Sequence, residues 1–256
     1  MKIASFNING IKARLETVLR WLHNSKPDVA VLQEIKSSDE NFPASHFEDL
    51  GYNLVTNGQK SFNGVAILSK YPIDSIRMKL EESDWDLQAR WVDCEIKNFR
   101  ICGLYLPNGN PLPGPKFDYK VEWMKRFYQR SKRLISQQQP TVILGDFNII
   151  PTEDDMEYPE LWKKDALYDL KCRELYRKIL YLGYTDAFRC VNNKTSEYTF
   201  WDYQGGSWQK NNGIRIDHIL LSPQAADLLE NCEIDTFMRA ERKPSDHVPI
   251  WVELSD

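Results

Sequence analysis

The chain has 256 residues, of which 42% are hydrophobic and 27% charged, and its formal net charge is −4. The length fits one large domain or two small ones, and the composition is that of a soluble protein with enough apolar side chains to build a core. The negative balance excludes wholesale attraction to nucleic acid, so a polyanionic partner has to meet a local basic patch.

The opening residues, MKIASFNING, turn polar too soon for a signal peptide, and no apolar run is long enough to span a bilayer. In chain order, residues 2–8 alternate as a half-buried strand does. Ile11, Leu15, Val18, Leu19 and Leu22 then recur at helical spacing until Pro27. Residues 28–33 (DVAVLQ), 64–69 (GVAILS), 90–96 and 99–106 are further strands. Residues 107–115 form a loop rich in Pro, Gly and Asn, and an amphipathic helix covers residues 118–138. A strand begins at Thr141. Residues 151–170 are an acidic surface excursion, and a helix follows at 172–182. Strands at 216–221 and 248–254 flank a helix at 223–229. Strands outnumber helices and do not follow strict βαβ order, and no glycine-rich fingerprint appears, so a Rossmann fold is not expected. Two packed sheets with helices outside are. No linker divides the chain, which gives a single domain over residues 1–256.

Chemistry concentrates in two strings. In TVILGDFN (141–148) an apolar run stops at a glycine and delivers Asp146 and Asn148. In PSDHVP (244–249) Asp246 and His247 stand before the last strand. Acid, amide and imidazole at strand ends suit metal-assisted phosphate chemistry, although Asx residues also make ordinary turns. Asn7, Glu34, Tyr105, Asn108 and Asp217 also sit at strand ends, where two facing sheets would gather them on one rim. The five cysteines (Cys94, Cys102, Cys172, Cys190, Cys232) are scattered without a CxxC pair, and there are four histidines. That pattern fits a reducing, cytoplasmic setting and excludes a Cys/His zinc site. A metal here would be held by oxygen, as magnesium or manganese is.

With these strings aligned, the chain resembles the exonuclease III family of abasic-site endonucleases, within the endonuclease/exonuclease/phosphatase superfamily. The matching strings are SFNINGIKAR (5–14), LQEIK (32–36), GVAILSK (64–70), LYLPNG (104–109), GDFNI (145–149), TFWDY (199–203), GIRIDHILLS (213–222) and KPSDHVPIWVEL (243–254). They run in family order over nearly the whole length. The resemblance implies a four-layer α/β sandwich, two mixed β-sheets flanked by helices. It also implies a monomeric, magnesium-dependent DNA-repair hydrolase (manganese as a substitute), with no membrane partner. Its substrate would be double-stranded DNA, incised 5′ to abasic sites and trimmed at 3′ ends by 3′–5′ exonuclease and 3′-phosphatase action.

Roles follow from the resemblance position by position. Glu34 is the main metal ligand, with Asn7 beside it and Asp246 as a further ligand or a loop support. Asp146 positions or deprotonates the attacking water, and Asn148 steadies it. His247 contacts the scissile phosphate and is held by Asp217. Tyr105 donates to the phosphate or the leaving oxygen, and Asn108 binds phosphate. Lys12, Arg14, Lys210 and Arg215 would grip the DNA backbone. Phe200 and Trp201 would fill the gap at a missing base, with ordinary core packing as their alternative. Asn9 and Ile214 depart from the Asp and Trp of eukaryotic members, and the loop at 151–170 differs from the best-known bacterial pattern. A phosphoinositide- or sphingomyelin-type phosphoesterase on the same fold is the rival enzyme. A non-enzymatic nucleic-acid-binding scaffold is the rival binder.

Overall fold

Side-chain alternation along the strands dictates the layering. In the computed structural model, which describes residues 1–82 and 84–255, the strands are β1 (Lys2–Asn7), β2 (Val29–Gln33), β3 (Asn53–Asn57), β4 (Val65–Ser69), β5 (Asp74–Arg77), β6 (Trp91–Ile96), β7 (Phe99–Tyr105), β8 (Thr141–Asp146), β9 (Thr185–Asp186), β10 (Asp217–Leu221), β11 (Leu229–Ile234) and β12 (Ile250–Leu254). The helices are α1 (Ile11–Ser25), α2 (Ala44–Glu48), α3 (Pro115–Ser136), α4 (Pro159–Trp162), α5 (Leu170–Leu180), α6 (Ala187–Val191) and α7 (Pro223–Ala226). Two six-stranded sheets result, ordered β11-β12-β1-β2-β4-β3 and β5-β6-β7-β8-β10-β9. Both are mixed, because β1 runs parallel to β2 and β7 to β8 while the other ladders are antiparallel.

Alternate residues face opposite layers. Ile3, Val29, Val31, Val65 and Ile67 of one sheet meet Val92, Cys94, Ile101, Val142, Leu144 and Ile219 of the other in a central core. Ala4, Phe6, Ala30 and Leu32 point the other way, onto Val18, Trp21 and Leu22 of α1. Cys102, Leu104, Ile143 and Leu220 likewise pack on α3 and α5 through Trp123, Phe127, Cys172 and Tyr176. The order helix, sheet, sheet, helix is the expected four-layer sandwich. The sheets approach closely at Gly103, where an added Cβ would lie 2.5 Å from Val31 Cγ1.

Several bounds differ from expectation. The long helix starts at Pro115, whose ring suits the first helical turn, and ends at Ser136. The helix expected through residue 229 stops at Ala226, because the chain re-enters a sheet as β11. The excursion at 151–170 carries a capped 3-10 turn, Glu153–Asp155, and the short α4. No helix among the described residues is long and apolar enough to cross a membrane.

The register delivers one polar rim. Tyr105 pairs with Asp146, and Asp146 with Asp217, across three neighbouring strands. Asn7 ends β1 opposite Gln33, so Glu34 follows directly at the end of β2. His247 enters from the loop before β12, which runs antiparallel to β1.

Candidate active site

Asn7 lies at the centre of the rim. Its Nδ2 donates to Glu34 Oε1 and to Asp146 Oδ2, each at 2.9 Å, and its Oδ1 accepts the Asn9 N–H at 3.0 Å. One buried amide thus joins a carboxylate of one sheet to a carboxylate of the other. Asp146 follows Gly145, where any Cβ would stand 1.9 Å from the Leu104 carbonyl oxygen, so only glycine lets β7 and β8 close up just before the acid. Asp146 Oδ1 accepts the Asn148 N–H at 2.8 Å, an Asx-type turn that holds Asn148 in the left-handed region at φ 48°. The Asn148 amide donates to the Leu106 carbonyl at 2.8 Å, and its oxygen accepts from Asn108 Nδ2 at 3.2 Å.

His247 is 4% exposed and lies between two acids. Its Nδ1 donates to Asp217 Oδ2 at 2.8 Å, and its Nε2 is 3.7 Å from Asp146 Oδ2. Phe200 lies edge-on to the imidazole, with centroids 4.9 Å apart. Burial opposes charge on the ring, but Asp217 and Asp146 overcome it and raise His247 to about 10, so the imidazole is a cation at neutral pH. Burial pushes Asp146 up to about 7; His247 pulls against the rise, and Asp217 and Glu34 add to it. Burial works to raise Glu34 as well, but hydrogen bonds from Lys36 and Asn7 hold its carboxyl below the ordinary range. Burial first, then Glu34 and Asp146, keep the Tyr105 phenol protonated well above its usual value.

Lys36, Ser245 and Arg90, which were not singled out in the sequence, complete the cluster. Lys36 Nζ lies 2.8 Å from Glu34 Oε2 and also donates to Asn9 Oδ1, while Asn9 Nδ2 donates to Asp246 Oδ1 at 3.0 Å. Ser245 Oγ donates to the Asn7 carbonyl at 2.8 Å. Arg90 lies over the Tyr105 ring at 4.8 Å and donates to the Tyr105 carbonyl. Lys36 was visible as part of LQEIK; Arg90 carried no signal beyond beginning a strand.

One ligand atom from each of Glu34, Asp146 and His247 lies within 4.8 Å of the others. Because His247 is protonated and already donates through Nδ1, the donors suited to a cation here are carboxylate oxygens, which match a hard divalent ion. Asp246 stands half-buried at the edge of the cluster, tied to Asn9. Asn7 presents its N–H groups, not its oxygen, to both acids, so it serves as an orienting group in this geometry.

The outer residues divide. Lys12 is exposed at the start of α1. Arg14 NH1 donates to the Asn9 carbonyl and NH2 to the Tyr203 hydroxyl, each at 2.9 Å, which keeps it beside the rim. Asn108 is exposed, Phe200 half-buried against His247, and Lys210 exposed on its loop, bonded to the Gly205 carbonyl. Two expectations are corrected. Trp201 is 2% exposed, with its Nε1 on Asn211 Oδ1 and its ring packed among Tyr198 and Trp208, so it is a core residue and not a wedge for DNA. Arg215 is fully buried; its Nε is 2.8 Å from Asp155 Oδ1 and its NH2 3.0 Å from Asp186 Oδ2, so it cannot reach a phosphate. Along α3, Arg126 pairs with Glu122 and Glu81, and Arg130 with Asp93.

The endonuclease/exonuclease/phosphatase family model matches residues 4–247. Exodeoxyribonuclease III of Haemophilus influenzae is 34% identical over 99% of this chain and 100% of its own. This chain belongs to that family, in its exonuclease III group. Among solved members, a 3′ phosphatase NExo from Neisseria bound to product DNA hairpin superposes with a TM-score of 0.97 at 35% identity, covering 100% of both chains. An AP endonuclease from Archaeoglobus fulgidus gives 0.96 at 33% identity, again covering 100% of both. Members of the exonuclease III group are divalent-metal-dependent, and the acidic cluster of this chain fits such an ion.

Proposed function

We propose that this chain is a magnesium-dependent DNA-repair nuclease, which hydrolyses DNA phosphodiesters 5′ to abasic sites and at 3′ ends. The observation that carries the reading is the unbroken line Asp217–His247–Asp146–Asn7–Glu34, in which base, cation and carboxylate ligand share one buried network. Its full-length relatives include an exodeoxyribonuclease III, a 3′ phosphatase and an AP endonuclease, which supports DNA as the substrate.

Asp146 orients the attacking water and takes its proton; a carboxyl raised towards neutrality is a better base than an ordinary one. The imidazolium of His247 donates from Nε2 to a non-bridging phosphate oxygen, and Asp217 keeps that ring charged and oriented. Asn148 and Asn108 offer amides to the same phosphate, and the neutral Tyr105 phenol donates to the leaving oxygen. Glu34, with Asp246 nearby, would hold a divalent ion, which would supply charge neutralisation at the phosphate. A general base contributes roughly a hundred- to ten-thousand-fold, or about 3–5 kcal/mol, against the roughly 8–23 kcal/mol that enzymes supply. Fixed positive charge and aimed donors therefore carry the larger share.

Lys12, Arg14 and Lys210 hold the DNA backbone, and Phe200 contacts the lesion beside His247. A single chain supplies both halves of the site, so residues 1–256 act as one domain and the site is complete in a monomer. The free cysteines support a cytoplasmic setting. The phosphoinositide reading keeps the fold, but the full-length relatives named above are DNA-repair enzymes, and a bare scaffold would not need the complete site. Cleavage of an abasic-site duplex beside a phosphoinositide, with magnesium and with chelator, tests the assignment. Glu34→Gln is expected to lower turnover steeply while DNA binding in chelator stays close to the parent. Cleavage of the lipid but not the duplex, or parent-like turnover of the variant at low magnesium, would overturn it.

A further inference from the structure

Beneath the rim lies a lysine that the site described so far does not use. Lys120, on the buried face of α3, has no solvent exposure. Its ammonium donates to the carbonyl oxygens of Asn148 at 2.6 Å, Asn108 at 3.0 Å and Ala166 at 3.0 Å. Three acceptors converge on the three N–H bonds that only a lysine ammonium provides. Two other buried cations have carboxylate partners: Arg130 pairs with Asp93, and Arg215 with Asp155 and Asp186. Among the described residues, no carboxylate oxygen pairs with Lys120.

Two of the three carbonyls belong to residues whose side chains meet at the rim, since Asn108 Nδ2 donates to Asn148 Oδ1. The third belongs to the segment after α4, which the same loop also grips: Asn110 accepts from the Ala166 N–H and donates to Asp165. The chain makes room for the lysine at Gly109, where φ is +90° and a Cβ would stand 2.6 Å from Lys120 Cδ. One ammonium thus fixes the loops after β7 and β8 and the excursion before α5 relative to one another. An uncompensated buried charge is costly, and carbonyl dipoles offset it only partly. Burial lowers the lysine to about 8, with Cys172, Asp165 and Asp146 acting in the opposite sense.

We infer that Lys120 is a positioning residue, which aims the Asn108 and Asn148 amides at the scissile phosphate. The inference rests on the nuclease reading. Lys120→Met keeps length and apolar volume but removes the donors and the charge. On an abasic-site duplex with magnesium, kcat is expected to fall about a hundredfold, the loss typical of a slightly misplaced catalytic group, while duplex affinity in chelator changes by less than about threefold. Asn148→Ala added to Lys120→Met should cost much less than the product of the two losses, because both act through one amide. Lys120→Arg should recover part of the rate.

Hydrogen exchange, read in chelator and independent of any activity, should quicken at 106–110, 147–150 and 165–167 and nowhere in the central sheets. A lysine that only stabilises the fold predicts a lowered melting temperature with parent-like kcat below it, and that result overturns the inference. So does multiplicative loss in the double variant, or unchanged exchange at those segments. If the Met variant does not fold, Lys120→Gln, which keeps two N–H donors at shorter reach, takes its place with the same expected rate and exchange changes. Parent protein inactive on DNA would sink the nuclease reading, while the exchange data would still judge the lysine.

Discussion

Asp217→Asn probes the charge on His247 with the smallest change of shape. In the parent, Asp217 Oδ2 accepts from His247 Nδ1 at 2.8 Å and is the foremost influence raising the imidazole to about 10 against the effect of burial. Without that carboxylate the ring retains only the help of Asp146, 3.7 Å from Nε2, and burial drives its pKa to the ordinary imidazole value or below. A fall from about 10 to about 6.5 removes about 5 kcal/mol of preference for the protonated form, at ~1.36 kcal/mol per unit. At pH 7.5 the variant's ring is then mostly neutral, and the phosphate loses a charge-assisted donor, which is worth roughly a hundred- to thousand-fold in rate. The sign of the pH effect follows. The parent keeps its imidazolium through the neutral range, whereas the variant regains it only as the pH falls through the imidazole range. The ratio of variant to parent single-turnover rate should therefore rise on acidification from pH 8 to pH 5.5, and the His247 ring should titrate near neutrality by NMR. A ring still titrating near 10 in the variant, or a rate loss under about threefold at pH 7.5, would refute the role given to Asp217.

Trp201→Ala is expected to lower stability by about 3–5 kcal/mol, as for large aromatic truncations, while leaving discrimination of abasic from intact duplex unchanged. Phe200→Ala, beside His247, should instead weaken that discrimination about ten- to a hundredfold with little loss of stability, on the scale of roughly 1–3 kcal/mol per stacked base. Melting curves and competitive cleavage of the two duplexes separate these outcomes, and reversed effects would count against both placements. His218 is fully buried, held between Arg215 and the Ile149 carbonyl, and burial and Arg215 depress it to about 4. The unfolded chain thus takes up this proton first, so the stability it confers is complete above pH 6.5 and is lost as the pH falls towards 4. The loss amounts to about 3 kcal/mol, and His218→Gln should flatten that part of the denaturant-midpoint profile between pH 7 and 4.5. Parallel profiles for parent and variant would show that the proton uptake lies elsewhere.

The eight strands readable from apolar runs are all interior members of the two sheets, whereas β3, β5, β9 and β11 are the four edges. An interior strand has neighbours on both sides and helices or the second sheet on its faces, so it must be apolar and becomes conspicuous. An edge strand such as β5, DSIR, is exposed throughout and reads as loop. Strand ends were legible for the same reason: a polar residue that stops a buried run stands out, as Glu34 and Asp146 do. What a motif loop does with its side chains was not legible. Trp201 and Arg215 lie in strings as suggestive as those of Phe200 and Arg14, but the partners that bury them, Asn211 and Asp155 with Asp186, carry no spacing relation to them. Lys120 was hidden because, on an amphipathic helix, a buried lysine looks like a solvated one.

Asn7, Glu34 and His247 hang from one sheet; Tyr105, Asp146 and Asp217 hang from the other. The bonds Asn7–Asp146 and His247–Asp217 cross the seam between them. Turnover is consequently a gauge of how the two halves of the sandwich are aligned. A methyl group removed from Val31 or Val142, far from any phosphate, lets one sheet settle against the other by a fraction of an ångström. The chain can stay folded through such a shift, but a base and a cation that must meet on one phosphorus atom cannot ignore it. Wear in the central core should therefore show up as lost rate before it shows up as lost structure.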